Sequence, residues 1–80
     1  MDNRDKIRQY IVTTLMRKPS YKLGDNDKII SGGLIDSFSL VELSLFLEET
    51  FQVHVDDVDL NATTMDSVQM IAVYVEAQRR

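Results

Sequence analysis

The sequence predicts an all-α fold, a small four-helix bundle of three longer helices and one short one with a long loop between the first two. Three observations carry this expectation. Apolar residues recur at helical spacing in three separate stretches, no pair of strands can be found, and a stretch rich in glycine, aspartate and serine divides the first apolar stripe from the second. Eighty residues are too few to divide between two cores, so residues 1–80 are expected to form a single domain.

The elements follow in order. From Arg4 to Arg17, the residues Ile7, Ile11, Thr14 and Leu15 make an amphipathic stripe, and Pro19 ends the helix. Ser20 to Ile35 reads as a long loop with one short turn around Asp27 to Ile30. Within it, Gly32-Gly33 lacks the lysine and strand context of a phosphate-binding loop and reads as a flexible approach to Asp36. A helix from Ser37 to Thr50 then starts at Asp36 as N-cap. At 100° per residue, Leu40, Leu43, Leu47 and Phe51 fall on one side, the core face. Phe38, Val41 and Leu45 fall on the other, bordered by Glu42, Glu48 and Glu49. That second stripe is either a partner-docking surface or a face covered by a neighbouring loop.

Phe51 to Val55 alternates apolar and polar residues but has no strand to pair with, so it is expected as an extended connector with inward valines and a solvent-facing His54. Asp56 to Leu60 is expected to make a short helical turn. Thr63 or Thr64 then caps a last helix whose buried stripe is Met65, Val68, Ile71, Ala72 and Val75.

Composition excludes several kinds of chemistry. There is no cysteine, hence no disulfide, no zinc-thiolate site and no protein thiol. One histidine, His54, leaves little material for a catalytic triad or a histidine metal cluster, so no catalytic residue and no metal site are expected. Asp57 to Asn61 opens like a calcium-binding loop, yet the turn glycine is replaced by Ala62 and the bidentate glutamate by Val68. No apolar stretch is long enough to span a membrane and the first residues lack a signal peptide's apolar segment, so a cytoplasmic monomer without membrane insertion is expected. Charge is segregated. The chain carries −4 overall, and from Asp36 to Gln78 there is no lysine or arginine among nine acidic residues. Such a field repels nucleic acid and steers proteins with basic patches toward the second half.

Ser37 is singled out by its setting. It occupies the first helical position, where unpaired N–H groups and the positive end of the helix dipole favour an attached phosphate. A second pair, Asp66-Ser67, lies inside the first turns of the last helix without the glycine-rich approach or the outward apolar stripe.

Gly33-Leu34-Ile35-Asp36-Ser37-Phe38-Ser39-Leu40-Val41-Glu42-Leu43, with Leu47-Glu48-Glu49-Thr50-Phe51 and Val53-His54-Val55, resembles an acyl carrier protein over essentially the whole chain. The resemblance implies that Ser37 receives 4′-phosphopantetheine from coenzyme A and that Asp36 is the adjacent acidic residue used by the magnesium-dependent phosphopantetheinyl transferase. It implies further that the helix from Ser37 docks acyl-loading and acyl-processing enzymes of fatty acid, polyketide or related lipid biosynthesis through their basic patches. The arm's thiol would then supply what a cysteine-free chain lacks. Ser39 stands where the housekeeping carriers have aspartate, which resembles freestanding specialised carriers. An aminoacyl or peptidyl carrier, and an unmodified helical interaction module, are the alternatives.

Overall fold

Helices are the regular elements of this protein: the computed structural model describes residues 3–79, and among them there is no strand. Helix α1, Asn3–Tyr10, runs without interruption into a π-helical turn at Ile11–Leu15. This turn corrects the expected first stripe. In i→i+5 geometry the residue five beyond Ile7 comes inward, so Val12 is buried beside Ile7 and Ile11 while Thr14 faces out. Helical backbone also ends earlier than expected. Met16 N–H bonds the Ile11 carbonyl at 2.8 Å, Arg17 adopts φ 56°, and Lys18 N–H closes onto the Val12 carbonyl at 2.7 Å. Pro19 lies beyond this left-handed stop and only prevents the helix from resuming.

Helix α2, Ser37–Phe51, matches its expected span to within one residue. Asp36 has extended backbone and its carboxylate accepts from Ser39 N–H at 2.8 Å. Gln52 ends the helix in the left-handed region, with its N–H on the Glu48 carbonyl at 3.0 Å and its side-chain amide on the Glu49 carbonyl at 2.7 Å. The core face is the expected one. Leu40, Leu43, Leu47 and Phe51 are all buried, and removing each from water contributes about 2 kcal/mol. Val53 and Val55 then turn inward while Gln52 and His54 stay exposed, and a single 3-10 turn follows at Asp57–Asp59.

The last expected helix is two. Asn61, rather than either threonine, caps α3, Ala62–Met65, by accepting from Thr63 N–H at 2.9 Å and Thr64 N–H at 3.2 Å. The chain leaves helical geometry at Asp66-Ser67, and Ser67 caps α4, Val68–Gln78, through its hydroxyl oxygen and Met70 N–H at 3.1 Å. Asp66-Ser67 is therefore a helix junction, not an interior turn. The expected stripe is nonetheless buried in full, because Met65 and Val68 meet the same core from either side of the break.

Helix α1 packs on α4, α3 on α4, and the π turn on α2, around one apolar cluster. The Tyr10 ring stacks on Phe46 with centroids 3.9 Å apart, joining the first two helices at the surface. Between Leu15 and Ser37 there is no helix, yet this segment is tied down at several points. Leu23 and Ile29 are core residues. The Asp25 carboxylate pairs with Arg4 at 3.2 Å and with Arg8, and the Asp25 carbonyl receives Gln69 N–H at 2.9 Å.

Candidate functional site

The approach to Asp36 is a closed turn rather than the flexible lead that two glycines suggest. The Ile29 carbonyl accepts from both Leu34 N–H at 3.0 Å and Ile35 N–H at 3.1 Å, and the Ile30 carbonyl accepts from Gly33 N–H at 3.1 Å. Both glycines have structural reasons. At Gly32 a Cβ would sit 2.2 Å from the Lys28 carbonyl oxygen, and Gly33 adopts φ +76°. The turn delivers a buried Ile35 directly before the cap.

Asp36 is exposed and its carboxyl titrates below the ordinary carboxylate value. The bond from Ser39 N–H is the main cause, since it favours the charged form, and the Ser39 side chain adds to it. Ser37 follows at the first helical position. Its side chain is exposed, and its hydroxyl forms no hydrogen bond with another described residue. Asp36 thus does the capping and leaves the Ser37 oxygen uncommitted at the positive end of a fifteen-residue helix.

The outward stripe is exposed along its length. Phe38 is 80% exposed, Val41 55% and Leu45 54%, so no loop covers it. Glu42 and Glu49 are exposed on the side facing α1, where together with burial they raise the Tyr10 phenol above its ordinary value, burial being the larger cause. The Tyr10 hydroxyl donates to the Glu42 carbonyl at 3.3 Å. These two glutamates and Leu45, Phe46 and Tyr10 line a shallow groove of about 270 Å³. Glu48 sits differently. It is only partly exposed, its carboxylate accepts from Val55 N–H at 3.0 Å, and it lies 3.6 Å from His54 Nδ1. The structure therefore gives Glu48 a role in holding the connector, which its spacing on α2 did not show.

His54 is exposed and its Nε2 lies 2.9 Å from Asp56 Oδ1. Among the described residues no three acidic or histidine side chains gather into a metal-binding group. No helix among them is long and apolar enough to cross a membrane.

Sequence reasoning missed Asp66. It is 6% exposed, and its carboxylate accepts from Ile30 N–H at 2.8 Å, Ser31 N–H at 2.9 Å and the Ser31 hydroxyl at 2.6 Å. Its carbonyl receives Ile29 N–H at 2.9 Å. No local pattern announces this role, because every partner is more than thirty positions away. Compared with known protein families, curated proteins and solved structures, the chain matches none.

Proposed function

We propose that this protein is a carrier, a small four-helix bundle that holds acyl intermediates as thioesters on a 4′-phosphopantetheine arm attached to Ser37. The observation that carries this reading is the exposed, uncommitted hydroxyl of Ser37 at the start of α2, on the same helix as an exposed apolar stripe. The residues fit the group. Ser37 offers its oxygen without breaking a hydrogen bond, the first-turn amides and the helix dipole favour the phosphodiester, and the space beside Gly33 on the approach is open. When bound, the arm supplies a thiol, which the polypeptide lacks.

The chain's own part is recognition. Phe38, Val41 and Leu45 offer apolar contact, and Glu42 and Glu49 attract a partner's basic side chains, in a half of the sequence without lysine or arginine before Arg79. Glu48 adds to that field while remaining tied to Val55. Asp36 caps the helix start and is the acidic residue adjacent in sequence to the reacting hydroxyl. The same exposed stripe supports a second reading, an unmodified interaction module. Intact-mass and peptide-mass analysis of the protein purified from its native source distinguishes the two. A carrier shows the mass of one phosphopantetheine, with or without cargo, on the peptide containing Ser37. An interaction module shows the unmodified chain.

A further inference from the structure

Asp66 and Ser37 are separated by the full length of α2 and α3 in sequence, but a short series of hydrogen bonds connects them. Asp66 receives four hydrogen bonds from three consecutive residues, Ile29, Ile30 and Ser31, through its carbonyl and both carboxylate oxygens. The carbonyl of Ile29 then holds Leu34 and Ile35. Ile35 is buried, and Asp36 and Ser37 are the next two residues. In a residue only 6% exposed these donors stabilise the carboxylate as an anion, which favours one arrangement of the turn and Asp66 over others.

We propose that Asp66 is a positioning residue for Ser37: it latches the turn Ile29–Ile35 to the α3/α4 junction and so fixes where the start of α2, with its reactive hydroxyl, stands relative to the rest of the fold. This rests on the carrier reading for its functional consequence and on geometry alone for its structural one. Asp66 never touches the reacting atoms. It acts through the turn, and releasing it leaves the Val41 and Leu45 part of the docking stripe in place while widening the range of positions open to the Ser37 oxygen. The effect falls on the chemical step, because a displaced nucleophile lowers turnover more than it weakens encounter.

The test compares three variants at a temperature where all are folded. Asp66→Ala removes the side-chain latch. Asp66→Asn keeps it, since one amide oxygen can accept from both N–H groups and the amide nitrogen can donate to the Ser31 hydroxyl. Val75→Ala is a core truncation far from the turn in sequence, which controls for lost stability. With coenzyme A, magnesium and a broad-specificity phosphopantetheinyl transferase, Asp66→Ala is expected to lower kcat about tenfold with KM within about twofold, while Asp66→Asn and Val75→Ala stay within about threefold of the parent. Equal kcat for Asp66→Ala and the parent, or an equal loss in Val75→Ala, overturns the proposal. If the parent chain itself is not modified, the carrier reading fails, and hydrogen exchange then decides the latch. Faster exchange at Ser39 and Leu40 in Asp66→Ala than in Val75→Ala supports it, and equal exchange overturns it.

Discussion

The two Asp-Ser pairs of this chain have the same composition and opposite fates. At Asp36-Ser37 the aspartate is the N-cap, so its carboxylate is occupied by Ser39 N–H and the serine, one position further in, keeps a free hydroxyl in solvent. At Asp66-Ser67 the cap has moved by one residue. The serine now accepts from Met70 N–H, and the aspartate is turned back onto Ile30 and Ser31 with both residues buried. A shift of one position in cap register decides which side chain does structural work and which hydroxyl is left exposed and uncommitted. The dipeptide alone therefore does not identify the cap; the partner of its carboxylate does.

The largest break in this comparison comes from Asp66→Ala, which leaves two backbone N–H groups and the Ser31 hydroxyl without their acceptor. Urea unfolding at neutral pH is expected to show a loss of about 3 kcal/mol. Asp36→Ala removes one exposed cap bond, and its midpoint shift should be roughly a third as large.

The serines should rank in stability the opposite way from the roles in modification proposed for them. Ser67→Ala loses the cap of α4, about 1 kcal/mol, whereas Ser37→Ala breaks no hydrogen bond and should stay within about 0.5 kcal/mol of the parent in the same unfolding experiment. Equal losses at the two serines would mean that Ser37 has a structural partner after all.

Acid sharpens the contrast more gently. For Asp66 burial pushes the carboxyl up, but the bonds from Ser31 and Ile30 and the nearby Lys28 charge outweigh it, so both it and Asp36 titrate below their ordinary value of 3.8. A carboxyl depressed on folding contributes stability that is complete above its unfolded pKa and disappears as pH falls through the folded one. Stability should thus be insensitive to these groups above about pH 5 and should decline below about pH 4. In Asp66→Asn the decline is shallower, and in Asp36→Asn it changes least, as followed by the thermal midpoint across that range.

What could be read from the sequence was local. The span of α2, its cap at Asp36, its buried face Leu40-Leu43-Leu47-Phe51 and its outward face Phe38-Val41-Leu45 all follow from spacing within one helix, and the structure has them as expected. The inward valines around His54 were legible for the same reason. Features that depend on distant partners were not. The α-helical spacing puts Thr14 inside and leaves Val12 out, because a π turn is not visible in the spacing. The break at Asp66 is hidden because α-helical periodicity joins Met65 to Val68 and Ile71 without a gap, and the residues that hold Asp66, Ile29, Ile30 and Ser31, lie far away in the chain. Gly32-Gly33 suggested flexibility, whereas the carbonyls of Ile29 and Ile30 make the segment a closed turn.

The central claim is that one hydroxyl of the two Asp-Ser pairs carries the arm. It is tested most directly by incubating the parent chain, Ser37→Ala and Ser67→Ala with coenzyme A, magnesium and a broad-specificity phosphopantetheinyl transferase, then weighing the intact proteins. The account predicts a single phosphopantetheine on the parent and on Ser67→Ala and none on Ser37→Ala. Addition that persists in Ser37→Ala, or that never occurs on the parent, would contradict it.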